Sequence, residues 1–177
     1  DGDAKLTVSD NITSAEANVL DAKTTGVITA TISTTAIGDL DDLTGTGNAY
    51  TITVNTAQVT AAALRTVNEA TTVAVNATNV TQITGSAADL ADVYGGGITG
   101  LGDETIILTD TTLAAATLTP TVNGYSSVAI NANNVTTLTG TNAEIVAAYD
   151  ADTAGTVIID GDAKLTVSDN ITSAEAN

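Results

Sequence analysis

Residues 1–18, DGDAKLTVSDNITSAEAN, return letter for letter as residues 160–177. Position 1 recurs at position 160, which sets a period of 159 residues. Eighteen identical residues in a row do not arise by chance, and a globular domain gains nothing from carrying its opening segment twice. The economical reading is a window on a longer tandem array, one full period and the start of the next. Inside that period lies a shorter one. Residues 73–100 align without gaps on residues 128–155, matching Asn76 with Asn131, Asn79 with Asn134, Tyr94 with Tyr149 and Gly100 with Gly155. A more divergent copy starts near Val27, so three internal units begin near 27, 73 and 128. Repetition on this scale is the signature of stacked arrays, and residues 1–177 are read as one continuous stretch of such a stack.

Composition agrees with stacked layers. The chain is 43% hydrophobic, yet its only aromatics are four Tyr, with no Phe, Trp, Met, Cys or His. A single irregular core recruits bulky rings to fill its interior. Small aliphatics of few kinds suit identical layers that repeat in register.

Each internal unit holds runs in which apolar residues and Thr alternate with period two: residues 6–9, 27–33, 50–55, 73–76, 105–109, 128–131 and 156–159. These are expected strands. Between them lie helix-start signals: Thr13-x-x-Glu16, Ser86-x-x-Asp89 and Thr141-x-x-Glu144, each set before an Ala-rich segment. Residues 60–70 and 111–118 read as further helices with poorer caps. A cycle of strand, turn, short helix and turn takes about 26 residues, hence about six coils per 159-residue period. The expected fold is a parallel β-solenoid with short helical segments in its coils, an α/β solenoid with one continuous parallel sheet. A plain β-helix without the helices is the competing architecture.

Charge limits the partners. Twenty-one acids against four basic residues give −17. Such a surface repels phosphate backbones and anionic lipid, so no nucleic-acid partner is expected. No stretch is long and apolar enough for a membrane-spanning helix, and no membrane insertion is expected. Without His or Cys there is no imidazole base, thiolate or His-containing zinc site, and paired acids lie in turns without aromatics to stack a sugar. The chain reads as a non-enzyme.

Two polar patterns remain. Asn recurs at strand–turn boundaries (Asn76, Asn79, Asn131, Asn133, Asn134), either as amides for sugars or, the preferred reading, as a ladder satisfying backbone groups of neighbouring coils. Acids cluster in turns, and Ca²⁺ takes several oxygens from such turns. The candidate ligands are Asp1, Asp3, Asp103, Asp160 and Asp162, weighed against simple solvated turns.

The phrases LTVSDNITSAEANVLDAKTTGVITATIS, LTGTGNAYTITV and VTAAALRTVNEATT resemble repeats of giant, repetitive cell-surface proteins of cyanobacteria and other marine bacteria. The resemblance implies an extracellular or cell-surface location, great length, frequent calcium dependence, and roles in adhesion, surface layers, fibres or motility. It carries no active-site residues across. The expected function is therefore a structural repeat segment that forms a rod or fibre, with copies of itself as partners. The alternative is an adhesin module that binds surface polysaccharide or a neighbouring cell through a Thr/Asn-rich face.

Overall fold

The structure, a computed structural model, describes residues 2–169. From the amino end the chain runs β1 (Leu6–Thr7), α1 (Ser14–Asp21), β2 (Ile28–Thr31), α2 (Ile37–Leu40), β3 (Ala49–Thr51), β4 (Gln58–Thr60), α3 (Ala61–Glu69), β5 (Val75–Asn76) and β6 (Gln82–Gly85). It continues through α4 (Ala87–Tyr94), β7 (Ile98–Thr99), β8 (Thr105–Leu108), β9 (Thr112–Ala114), β10 (Ile130–Ala132), β11 (Thr137–Gly140), α5 (Asn142–Thr153), β12 (Val157–Ile159) and β13 (Lys164–Val167). This is an α/β fold of short parallel strands in several sheets with short helices. No sheet closes into a barrel among the described residues.

The described residues divide into two compact units, 2–81 with 92–101, and 82–91 with 102–169. In the first, β1, β2 and β3 form a parallel sheet in which Leu6 faces Ile28 and Ala30 faces Tyr50. There β5 also pairs in parallel with β7. In the second unit β6, β8, β10 and β12 lie side by side in that order, and β9, β11 and β13 make another sheet.

Alternation explains the strands. Ile28, Ala30 and Ile32 point inward while Thr29 and Thr31 face solvent, and Tyr50, Ile52 and Val54 repeat the pattern one coil later. Register then stacks like on like: Ile83 beside Ile106, Ile130 beside Val157, and Leu113, Leu138 and Leu165 in one row. On α3 the buried positions are Ala61, Leu64 and Val67, three apart, so one face of the helix meets the strands. Gly26 is required where β2 begins, because a Cβ there would come within 2.5 Å of the Ala4 carbonyl oxygen. Gly100 has φ +83° and lies against the Thr78 backbone.

Four expected helices form: α1 and α5 with complete capping boxes from Thr13 and Thr141, α3 behind Thr60, and α4 behind Ser86. Two expectations are corrected. Residues 111–118 do not open as a helix. Leu113 is taken by the parallel row with Leu138, so the segment starts as β9, and helical conformation follows from Ala115, through Thr117–Thr121 and Val122–Gly124. Thr119 is extended there ahead of Pro120, as a residue before proline prefers.

The single continuous sheet is replaced by several. Strands β4, β6, β9 and β11 were not expected. Each is three or four residues long, carries one buried apolar side chain and runs straight into helical backbone, too short for periodicity to declare. They form because a neighbouring parallel strand supplies the partner. The aligned sequences of β6 and β11 even enter different sheets, β6 beside β8 and β11 between β9 and β13.

Candidate functional site

Many polar side chains reach a neighbouring segment distant in sequence. Asn79 donates to the Asn55 side chain at 2.7 Å, and Asn134 donates to the Leu108 carbonyl at 2.7 Å. The Asn134 bond satisfies a neighbouring backbone group, as the expected ladder requires, whereas Asn79 meets another side chain. Asn76 and Asn131 instead accept N–H groups two residues on, from Thr78 and Asn133, and so stabilise their own turns. Threonines add further rungs. Thr81 donates to the Ala57 carbonyl, Thr99 to Val75, and Thr136 to Thr111.

A second device escaped the sequence reading. The first residue of a helix leaves its N–H without an intrahelical partner. Here the acceptor comes from a segment later in the chain. Ser14 donates to Thr34 Oγ1 at 3.1 Å, Ile37 to Thr56 Oγ1 at 2.9 Å, Ala87 to Asp110 Oδ2 at 2.8 Å and Asn142 to Asp169 Oδ1 at 2.8 Å. The sequence separation varies from 19 to 27 residues, which is why no motif announces it.

Of the acidic candidates, Asp1 lies outside the described residues. Asp3, Asp103, Asp160 and Asp162 are all exposed. Only Asp160 and Asp162 are brought together, in one turn where the Asp162 N–H donates to Asp160 Oδ1 at 3.1 Å. No group of three or more acidic side chains converges as a metal cage among the described residues. The buried acid is Glu104, fully inaccessible, whose carboxylate accepts the N–H groups of Gly102 and Asp103 at 2.8 and 3.2 Å. It clamps the Gly-rich turn before β8.

A concavity lies in the first unit. It encloses about 340 Å³ and is lined by Asp21, Thr24, Thr25, Thr44, Thr46 and Asn48 among others. Asn48 is 2% exposed and orders the floor: its carbonyl oxygen accepts the Ile28 N–H at 2.9 Å, and its amide donates to Asp21 Oδ1 at 2.8 Å. Close by in chain, the Tyr50 side chain is 1% exposed and its hydroxyl has no hydrogen-bond partner among the described residues. Burial, with the Asp21 charge adding to it, pushes that phenol up to about 12. The lining offers hydroxyls, an amide and one carboxylate, a set suited to hydrogen-bonding a neutral polyol rather than to acid–base chemistry.

No helix among the described residues is long and apolar enough to cross a membrane. No protein-family model matches the chain, and no characterised protein or solved structure is significantly similar to it.

Proposed function

We propose that this chain is a non-enzymatic structural repeat segment of a large extracellular or cell-surface protein, a solenoid of about six coils per 159-residue period that builds a rod. The observation that carries this reading is the sequence distance between paired groups. Strands pair in parallel, and most side-chain bonds that cross between segments span 19 to 27 residues, close to the length expected of one coil, with Asn123 to Thr156 longer at 33. Its work is mechanical: nearest-neighbour layers of Val, Ile, Leu and Ala hold against shear through backbone ladders and Asn and Thr rungs. Acidic turns such as those of Asp3, Asp103, Asp160 and Asp162 collect Ca²⁺, which lowers the self-repulsion of a chain at −17. Its partners are further copies of the same repeat.

Small-angle X-ray scattering tests the reading. The expected particle is rod-like, and its length grows in proportion when further 159-residue periods are joined, with the cross-section unchanged. A compact particle overturns it. Negative-stain microscopy in calcium and after chelation tests the cation's part, with shortened or dispersed fibres expected after chelation.

One observation favours a second reading, an adhesin module for surface polysaccharide. The concavity at Asp21, Thr24, Thr44 and Asn48 presents the Thr/Asn surface that such a module needs. Binding of a defined glycan in an array, lost in Thr44→Val, would establish it.

A further inference from the structure

The concavity at Asp21 and Asn48 has a counterpart in the second compact unit, built from different residues at matching positions. Three residues after Asp21 stands Thr24, and three residues after Asn123 stands Ser126. Thr24 Oγ1 accepts the Gly26 N–H at 2.9 Å, and Ser126 Oγ accepts the Val128 N–H at 3.1 Å. Each hydroxyl donates to a carbonyl of an earlier segment, Thr24 to Ala4 at 2.6 Å and Ser126 to Glu104 at 2.7 Å. The N–H of the next residue, Thr25 or Ser127, reaches the carbonyl of Gly2 or Gly102, two places before that acceptor. Shortly after, Ile28 and Ile130 are fully buried where β2 and β10 begin.

The opposite wall matches as well. Gly47 at φ +77° and Gly155 at φ +73° turn the chain, and a Cβ on either would meet nothing within 4 Å among the described residues. The residue after each glycine closes the corner. Asn48 donates to Asp21 Oδ1 at 2.8 Å, and Thr156 Oγ1 accepts the Asn123 amide at 3.2 Å. Asp21 Oδ2 and Asn123 Oδ1 carry no hydrogen bond among the described residues, nor do the exposed hydroxyls of Thr44 and Ser127. Each groove also holds an exposed valine, Val27 at 40% or Val128 at 39%. The second groove encloses about 230 Å³.

A further copy of the hydroxyl motif differs at the corner. Thr71 Oγ1 accepts the Val73 N–H at 3.1 Å, three residues after Asn68, and Gly97 has φ +85°. The residue after Gly97 is Ile98, whose side chain offers no hydrogen bond, and Asn68 lies against Gly97 itself.

What the two grooves share limits the occupant. A cation would find a carboxylate at position 21 but only an amide at position 123. A chain at −17 repels anions. Free acceptor oxygens and a hydroxyl beside a small apolar surface match an uncharged sugar, whose hydroxyls donate and accept and whose ring C–H faces are apolar. The volumes lie at or below the low end of the roughly 300–1,000 Å³ of small-molecule sites, which suits one residue of a longer glycan.

We propose that the groove of Asn123, Ser127 and Thr156 is a second binding site for a neutral polysaccharide, equivalent to the one at Asp21, Thr44 and Asn48. A sugar hydroxyl donates to Asp21 Oδ2 in one groove and to Asn123 Oδ1 in the other. The Thr44 or Ser127 hydroxyl bonds a second sugar oxygen, and the valine covers a C–H face. The proposal rests on the adhesin reading above and gives it a ligand class and a valency.

NMR of the isotopically labelled full chain tests it, with cellohexaose, maltohexaose and xylohexaose as neutral probes and hexagalacturonate as the anionic one. With at least one neutral probe, amides of residues 24–27 and 44–48 are expected to shift together with those of 126–129 and 155–156. Residues 71–73 and 97–98 stay in place, and hexagalacturonate shifts neither groove. Ser127→Val keeps the N–H that reaches Gly102 and should weaken the second groove about fivefold, with the first unchanged. Thr44→Val should do the reverse. Asp21→Asn keeps an acceptor oxygen and should leave the first groove's affinity unchanged. Circular dichroism confirms that each variant folds, and Ser127→Ala serves where Ser127→Val does not.

A response confined to one groove overturns the paired sites and leaves the adhesin reading in place. No response in either groove to any neutral probe removes both. Equal shifts with hexagalacturonate, equal shifts at residues 71–73, or loss of the first groove's response in Asp21→Asn also overturn the proposal.

Discussion

Tyr50 is the largest fully buried side chain of the molecule, and its ring and its hydroxyl have opposite consequences. The ring fills a layer otherwise built from aliphatics. The hydroxyl is buried without a hydrogen-bond partner among the described residues. Tyr50→Phe should therefore leave thermal stability unchanged or slightly raised, while Tyr50→Ala should cost about 3–5 kcal/mol through the cavity it leaves. Denaturant melts of the two variants check this. The titration has a definite sign. Folded Tyr50 holds its proton to about 12, against 10.0 for an unperturbed phenol. Its contribution is complete below pH 10 and is lost as pH rises toward 12. Absorbance of tyrosinate should reveal one late-ionising phenol, absent in Tyr50→Phe.

Helices in this fold are short and rely on what caps them. Helix α4 begins with an N–H that Asp110 accepts from 23 residues further on. Asp110→Ala should lower stability by about 0.5–2 kcal/mol, the range for losing a capping side chain, and Asp110→Asn should recover part of it. A purely local cap such as Thr141 makes the comparison, because Thr141→Ala breaks a capping box without unpinning a neighbouring coil. Helix α1 adds a pH dependence. Its Glu16 carboxylate accepts the Thr13 N–H at 2.8 Å, and this bond, with the Thr13 hydroxyl, holds its pKa below the ordinary glutamate value of 4.5. A depressed folded pKa gives a contribution present above the unfolded value and lost as pH falls through the folded one. Acidification below about pH 4.5 should therefore loosen α1 in the wild type, and Glu16→Gln should flatten that part of the profile of melting temperature against pH.

Charge acts on the whole molecule. At −17, with the acids spread over helices and turns and most of them exposed among the described residues, folding crowds like charges that the unfolded chain spreads apart. Raising ionic strength from about 0.01 M to 0.15 M shortens the screening length from about 30 Å to 8 Å, and the melting temperature should rise. Millimolar Ca²⁺ at constant ionic strength should raise it further if the acidic turns collect the ion; equal shifts with Ca²⁺ and with Na⁺ of matched ionic strength would confine the effect to screening. Calorimetry distinguishes the two.

Much of the architecture was legible because it follows from local rules. Alternation of Ile28, Ala30 and Ile32 with Thr marks a strand wherever one face is buried, and Thr-x-x-Glu ahead of Ala-rich segments marks α1 and α5 through atoms three residues apart. The exact return of residues 1–18 by itself determined the period and the identity of two strands. What tertiary structure alone decided concerns partners about one coil away. Whether QITG and TLTG become strands, and in which sheet, depends on which neighbouring edge lies open, since three or four residues hold no preference strong enough to choose. The same holds for Thr34, Thr56, Asp110 and Asp169, ordinary polar residues in sequence that become helix caps only when the helix before them is in place. The separation varies from 19 to 27 residues, so no fixed spacing encodes the match, and tertiary packing selects the acceptor.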